Sequence, residues 1–212
     1  MKKLLVSIII PAYRDWQRLS FCLQALEDQS FAKELFEIIV VNNDPEDSTP
    51  TWLKIPSNCK IINEGKPGSY AARNAAIKIS DGKILGFTDS DCIPKKDWIK
   101  NAVRKLEENP GAKRIGGAIE LFYKKDEPSK VELYDKVFAF PQEAYVNSGN
   151  AVTANMFTYK SVFEKIGFFD ENLMSGGDYQ WGKLALKNGF PIVYAPKAIV
   201  GHPARPTIKE LV

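Results

Sequence analysis

Short apolar runs that end in polar loops, separated by helical patterns, restrict the fold of this chain more than any other feature. Residues 6–10, 36–41 and 84–87 are almost entirely apolar, as expected for strands buried on both faces of a sheet. Residues 16–29 carry leucines at helical spacing, and residues 69–80 are rich in alanine. Strands and helices that alternate across short loops predict an α/β sandwich with a mostly parallel central sheet.

The rest of the chain continues this alternation. Ser48 or Thr49 is expected to cap a short helix beginning at Pro50, and Ser69 is expected to cap the alanine-rich helix. A charged stretch at 124–130 precedes a segment rich in aromatic residues at 134–145. Apolar periodicity and the positions of Gly and Pro predict further strands at 59–62, 115–122 and 191–194, and further helices at 96–108, 159–167 and 176–189.

Length and composition limit the classes of protein that need to be considered. At 212 residues without a low-complexity linker, the chain is expected to form one domain. A net charge of +3 is too small to indicate nucleic-acid binding, but it suits an anionic ligand. Cysteines without a CxxC pair and the lack of an apolar run of roughly 18 residues predict a cytoplasmic protein. Peripheral association with the inner membrane face is compatible with the sequence, although no basic amphipathic helix demands it.

Two carboxylates one residue apart follow the strand at 84–87. In an extended chain Asp89 and Asp91 point the same way, and like charges this close require a positive partner. A divalent cation shared with a diphosphate, Mg²⁺ or Mn²⁺, would satisfy both. The alternative is a solvated loop in which Asp89 caps the next helix. Polar residues at 11–15 and 42–47 also follow predicted strands, at the edge where ligands of parallel sheets collect.

The order and spacing of several motifs resemble the family-2 glycosyltransferases over nearly the whole chain. These motifs are "VSIIIPAYRD" at 6–15, "EIIVVNNDPEDST" at 37–49, "KPGSYAARNAAI" at 66–77, "FTDSDCIP" at 87–94, "TANMFTYKSVFEKIGFFDE" at 153–171 and "SGGDYQWG" at 175–182. The resemblance implies the GT-A fold, a Rossmann-like three-layer α/β/α sandwich. It also implies a nucleotide-diphosphate sugar donor, a divalent metal, and transfer with inversion at the anomeric carbon. Residues 1–114 would be the nucleotide-sugar-binding half, and residues 115–212 the acceptor-binding and catalytic half.

The resemblance assigns a set of residues to the donor site. Tyr13 would offer its ring to the base or simply pack at a strand end. Asn43 stands where relatives usually carry a carboxylate that reads the base edge, and a plain Asx turn is the alternative. Arg73 would face the diphosphate, unless it is a surface arginine. The full donor set implied by the resemblance is Pro11, Ala12, Tyr13, Asp15, Asn43, Gly68, Arg73, Asp89 and Ser90.

The resemblance also implies a general base and a metal site. Asp178 matches the catalytic base, which must take the proton of an acceptor hydroxyl, although Gly177 stands where the family usually has an acid. The alternative is that Asp178 caps its helix. His202, the only histidine, would join Asp89 and Asp91 around the metal, or be merely structural.

For several other residues the sequence leaves open whether they contact a ligand or have a structural role. Lys66 and Arg205 would lie near phosphate or only in solvent. Asn155 and the turn at 149–150 match a region that faces sugar and acceptor in the family, while Trp181 is expected in the core.

Two other functions remain open from the sequence. A nucleotidyltransferase also uses paired aspartates on a metal, but the loop at 11–14 lacks the glycine-rich, basic character that holds a triphosphate. A degenerate nucleotide-sugar-binding module is compatible with Asn43 and Gly177. The base, the sugar and the oligomeric state stay open, as does the acceptor, for which saccharide, lipid-linked oligosaccharide and protein are candidates.

Overall fold

A computed structural model describes residues 4–123 and 127–207, where eight strands form one sheet between two layers of helices. The strands are β1 (Val6–Ala12), β2 (Phe36–Asn42), β3 (Cys59–Asn63), β4 (Ile84–Phe87), β5 (Ile93–Pro94), β6 (Arg114–Phe122), β7 (Met156–Tyr159) and β8 (Ile192–Pro203). The helices are α1 (Trp16–Glu27), α2 (Ser69–Ile79), α3 (Trp98–Glu108), α4 (Lys130–Phe138), α5 (Gln142–Asn147), α6 (Lys160–Ile166) and α7 (Gly177–Lys187). The charged stretch at 124–130 lies partly outside the described residues.

The sheet order is β3-β2-β1-β4-β7-β6-β8-β5, and its first four strands are parallel. Ala12 is in register with Asn42, and Ile9 with Phe87, so the polar loops after β1, β2 and β4 meet at one edge of the sheet. This arrangement confirms that the predicted ligand-binding loops share an edge.

The other half of the sheet is mixed. Strand β7 is antiparallel to both β4 and β6, whereas β8 is parallel to β6 and antiparallel to β5. In the described residues four pairings are parallel and three antiparallel, so the predicted α/β sandwich with a mostly parallel sheet is confirmed.

Alternate residues of the central strands face the two helical layers. Ile8 and Ile10 join the hydrophobic cluster that contains α1 and α3, and Ile9 joins the cluster that contains α2, α6 and α7. Both faces of β1 are therefore buried, which explains why its residues are almost all apolar.

Two predicted details are wrong, and one strand was not predicted. Residues 50–53 form a turn closed by Leu53 N and Pro50 O instead of a short helix. The N-cap of α2 is Gly68, with φ of 114°, and Ser69 is its first helical residue. Strand β7 was missed because its four apolar and aromatic residues continue directly into α6. Among the described helices, none has both the length and the hydrophobicity to cross a bilayer.

Candidate functional site

A cleft of about 370 Å³ opens where β1, β2 and β4 end. All of the predicted donor and metal residues except Gly68 line this cleft, and Gly68 directly precedes Ser69, which does line it. The predicted base, Asp178, lies in a second cleft. Sequence reasoning missed Arg18 and Ser69, and only their positions one turn into α1 and at the start of α2 could have indicated them. The cleft is lined by Pro11, Ala12, Tyr13, Asp15, Arg18, Asn43, Ser69, Arg73, Asp89, Ser90, Asp91 and His202.

Asp89, Asp91 and His202 form a cluster at the base of this cleft. One ligand atom from each of these residues, and from Cys92, lies within 4.8 Å of all the others. Burial raises the pKa of Asp91, and Asp89 raises it further, while His202 and Arg18 act in the opposite direction. A charged Asp91 is therefore incompletely compensated by the protein, which is the condition under which a cation binds well.

The ring of His202 is held in one tautomer. Its Nδ1 lies 2.8 Å from Pro203 O, a contact that requires a proton on Nδ1. The neutral ring then has its lone pair on Nε2, which lies 3.9 Å from Asp91 Oδ1. Metal-binding histidines commonly show this pattern, in which a carbonyl fixes the tautomer of the ligand.

Cys92 belongs to the same cluster but is a poor ligand for a hard cation. The residue is buried, and burial raises the pKa of its thiol well above the usual value. Hard cations also prefer carboxylate and imidazole ligands to sulfur. The remaining donors are two carboxylates and one imidazole, a set that fits Mn²⁺ or Mg²⁺.

Two arginines offset the charge of the paired carboxylates. Arg73 is buried, and its Nη2 donates to Asp89 Oδ1 at 2.5 Å. Arg18 is more exposed and reaches Asp15 at 2.5 Å and Asp91 at 3.5 Å. Asp15 also accepts from the backbone N–H of Arg18, so it caps α1. Arg73 is thus a fixed partner of Asp89, while its Nε has no hydrogen-bond partner among the described residues.

The two asparagines after β2 have different structural roles. Asn42 accepts from Asp44 N at 3.1 Å, which is an Asx turn. Asn43 donates to Glu64 O and Lys66 O and accepts from Gly68 N at 2.9 Å, so it fixes the loop that leads into α2. Both amide hydrogens of Asn43 are therefore engaged within the protein, and its contact with a base stays a prediction.

Asp178 lies in the first turn of α7, in a second cleft of about 320 Å³. Its Oδ1 accepts from the hydroxyl of Tyr70 at 3.1 Å and from Tyr179 N at 2.9 Å, and its Oδ2 accepts from Thr153 N at 3.3 Å. The helix N-cap is Gly176, whose φ is 75°, so Asp178 is not the cap residue. Its carboxylate is held in one orientation by donors from three elements.

Tyr70 connects the two clefts. Its hydroxyl contacts Asp178 in the second cleft, and its ring lies 5.6 Å from the guanidinium carbon of Arg73 in the first. Burial raises the pKa of Tyr70, and the charge of Asp178 raises it further, so the phenol stays a hydrogen-bond donor. Side-chain contacts therefore run without a gap from Asp89 through Arg73 and Tyr70 to Asp178.

Gly177 lacks a side chain because Tyr70 fills the adjacent space. A Cβ on Gly177 would lie 2.7 Å from Tyr70 Cε2, closer than van der Waals contact allows. The residue type that separates this chain from the family pattern therefore has a local packing reason.

We expect Gly177→Ala to lower the free energy of unfolding by about 1–3 kcal/mol, because the buried Tyr70 ring must move. Gly111→Ala is the matched control, since a Cβ there meets nothing within 4 Å, and its effect should stay within about 0.5 kcal/mol. Urea denaturation of both variants measures the difference. Equal stabilities would contradict the packing argument.

Several other predicted residues have structural partners. Asn155 is fully buried and bonds Trp98 Nε1, Ala118 O and Ala198 O, so it joins α3, β6 and β8. Trp181 lies in the core, stacked on Phe163 with ring centroids 4.2 Å apart.

The two cations left open in the sequence are both paired. Arg205 pairs with Asp135 through its backbone N–H and its guanidinium. Lys66 pairs with Glu171 at 2.8 Å on the surface.

Comparison with known proteins gives a consistent result. The sequence model of the family described as "Glycosyl transferase family 2" matches residues 7–167 of this chain. Glycosyltransferase AglE of Haloferax volcanii is 34% identical over 207 residues, which are 95% of this chain and 67% of AglE. A Methanococcus voltae enzyme named dolichyl N-acetyl-alpha-D-glucosaminyl phosphate 3-beta-D-2,3-diacetamido-2,3-dideoxy-beta-D-glucuronosyltransferase is 24% identical over 98% of this chain and 69% of its own length.

Solved structures share the fold at lower identity. S. aureus TarS 1–349 superposes with a TM-score of 0.72 at 21% identity, over 94% of this chain and 60% of TarS 1–349. The mannosyltransferase PcManGT from Pyrobaculum calidifontis, in complex with GDP-Man and Mn²⁺, has a TM-score of 0.72 at 19% identity, over 96% of this chain and 57% of PcManGT. The chain thus spans about two thirds of these curated relatives and slightly less of the solved chains.

Proposed function

This chain belongs to glycosyl transferase family 2 and has the GT-A fold, and from this premise we propose that it transfers a sugar from a nucleotide-diphosphate sugar to an acceptor hydroxyl with inversion. The observation that carries the proposal is the pair of adjacent clefts joined by Tyr70. One contains a carboxylate and imidazole cluster, and the other contains a carboxylate held by three donors. An inverting displacement needs these two sites beside each other, with the base on the side opposite the leaving group.

The larger cleft is proposed as the donor site. TarS has been crystallised with UDP and with UDP-GlcNAc, and PcManGT with GDP-Man and Mn²⁺. In this chain Asp89, Asp91 and His202 would hold the divalent cation, whose role when bound is to neutralise charge on the diphosphate. Arg18 adds a positive charge at the rim, and exposed Tyr13 offers a ring face for a base.

Asp178 is proposed as the general base. A hydroxyl attacks the anomeric carbon only as its proton is removed, and the Asp178 carboxylate is the acceptor for that proton. Hydrogen bonds from Tyr70, Thr153 and Tyr179 orient the carboxylate before the acceptor arrives. No covalent intermediate with the enzyme is required.

The smaller cleft is proposed as the acceptor site. Tyr70, Tyr145 and Tyr179 line it beside Asp178, and aromatic rings pack well against the apolar faces of sugars. The Methanococcus voltae relative is named for a dolichyl-linked sugar phosphate. A lipid-linked saccharide is accordingly the acceptor class that we propose, used by a cytoplasmic protein at the inner face of a membrane.

A panel of nucleotide sugars, each incubated with Mn²⁺, tests the proposal by release of nucleoside diphosphate. We expect one or two donors to be hydrolysed slowly without an acceptor, and release to stop when the cation is chelated. A nucleotidyltransferase would instead consume nucleoside triphosphate and release pyrophosphate. A binding module would bind donor in calorimetry and release nothing.

A further inference from the structure

Helix α4 turns its carboxylates toward the protein and its apolar side chains toward solvent. Glu132 and Asp135 are buried, with exposed fractions of 6% and 1%. The outward side chains have exposed fractions of 47% for Leu133, 55% for Tyr134, 71% for Val137 and 61% for Phe138. This distribution is the reverse of an ordinary surface helix, whose apolar face is buried. We call the four outward side chains the α4 apolar face.

The orientation of α4 is fixed by hydrogen bonds on its inner side. Ser129 and Glu132 form a capping box at the helix start. Asp135 accepts from the backbone N–H of Arg205 at 2.8 Å and pairs with its guanidinium at 3.5 Å. Rolling the helix to bury the α4 apolar face would break these bonds and expose two carboxylates. The outward position of the face is therefore a property of the fold.

Charges at the edges of the face indicate what covers it. Lys130 precedes Tyr134 by four residues and Val137 by seven, so it lies on the same side of the helix, and Lys136 is also exposed. Both acidic residues of α4 point inward, so the outward side presents aromatic and aliphatic groups with cations only. An anionic lipid surface complements this combination, because long lysine side chains reach phosphate groups while the apolar face enters the interface. Two copies of the helix packed face to face would bring like charges together.

The segment that follows α4 lies beside the donor cleft. The chain leaves α4 through Phe140, whose ring centroid lies 4.4 Å from that of His202. Exposed Phe122, at the end of β6, is bonded through its carbonyl to Ala204 N, close to the Arg205 that holds α4. A surface that rested on lipid here would place the donor cleft at the membrane.

We propose that the α4 apolar face binds the surface of an anionic lipid bilayer. In its link to a lipid-linked acceptor this inference rests on the proposed function. Docking there would bring the chain close to saccharides attached to membrane lipids. Binding depends on both the apolar side chains and the lysines, so it should weaken at high salt.

Vesicle sedimentation with the full chain, without donor or acceptor, tests this proposal. We expect binding to vesicles of phosphatidylcholine with phosphatidylglycerol, and much weaker binding to phosphatidylcholine alone. Val137→Glu should lower the apparent affinity for anionic vesicles at least about 10-fold, because it places a negative charge in the face. Phe21→Glu is the matched control, because Phe21 is 54% exposed on α1, and it should bind as the wild type does.

Three outcomes would overturn the proposal: no sedimentation of the wild type, equal binding by Val137→Glu, or a dimer in light scattering that Val137→Glu dissociates. The last would assign the face to contacts between copies. Donor hydrolysis by Val137→Glu should equal that of the wild type, because Val137 lines neither cleft. If the wild type hydrolyses donor but does not bind vesicles, the membrane proposal is wrong and the proposed function is unaffected.

Discussion

Asp178→Asn should lower the turnover number of sugar transfer by about 10²–10⁴-fold, with little change in the KM of the donor. The amide keeps the size of the side chain but cannot take the proton of the acceptor hydroxyl. The donor cleft is lined by other residues, so donor binding should persist. Single-turnover transfer to a saccharide acceptor, measured beside donor binding by calorimetry, separates the two effects.

The substitution also alters one hydrogen bond, which requires a control for stability. The new amide NH₂ group would face the N–H of Thr153 if the amide oxygen kept the bonds to Tyr70 and Tyr179, and two opposed donors cost about 1–3 kcal/mol. Asp170→Asn is a matched change at an exposed carboxylate and should retain full turnover. If Asp178→Asn is folded and transfers sugar at the wild-type rate, the base lies elsewhere.

The central strands and the common edge of the polar loops could be predicted because they follow from local pattern. Residues 6–10 are apolar at every position but one since alternate side chains enter opposite layers, and the exception, Ser7, is buried with a hydrogen bond to Glu37. The parallel register then brings the ends of β1, β2 and β4 together, and the position of Asp89 and Asp91 follows. The rule that the carboxyl ends of parallel strands share one edge of a sheet was sufficient to predict where Asp89 and Asp91 lie.

The partners of individual side chains could not be predicted, because they lie far apart in sequence. The sequence predicts that Arg73 faces phosphate, and the structure adds a hydrogen bond from its Nη2 to Asp89, sixteen residues away. From the sequence, Gly177 replaces an acidic residue of the family pattern without a visible reason. In the structure the ring of Tyr70 occupies the space that a side chain at residue 177 would need. The sequence leaves Asn155 open between ligand contact and structure, and the structure shows it buried at the junction of three elements. Residue type gives the chemistry of a group, and only the fold gives its partner.

The long strand β8 and the helix α4 show a second limit. The turn-like Pro196 ended the predicted strand at 194, whereas β8 continues to Pro203 across a register shift opposite Gly117 and Ala118. In α4 the periodicity is helical, but a hydrophobic stripe alone does not tell whether it faces the core. Here the hydrogen bond from the backbone N–H of Arg205 to Asp135 determines which side of α4 faces the protein.

Asp91→Ala should weaken binding of Mn²⁺ in the presence of nucleoside diphosphate by about 100-fold or more, and transfer should fall with it. Asp91 is the carboxylate nearest to His202 Nε2, and its removal leaves Asp89, one of whose oxygens is already held by Arg73. Calorimetric titration of Mn²⁺ with nucleoside diphosphate gives the affinity without any need for activity.

Cys92→Ala is the control that separates the oxygen and imidazole donors from the thiol of the same cluster. Because Cys92 is buried and hard cations prefer oxygen ligands to sulfur, its removal should leave Mn²⁺ affinity unchanged, although a small cavity lowers stability. Burial disfavours the charge on Asp91, and so does the neighbouring Asp89. Without a cation, Asp91→Ala should therefore lose only the stabilisation that Asp91 receives from His202 and Arg18, and its melting temperature should stay close to that of the wild type. An Asp91→Ala protein that binds Mn²⁺ as tightly as the wild type would place the cation outside this cluster. The donor diphosphate would then have to be held by the arginines alone, and the pairing of Asp89 with Asp91 would need another explanation.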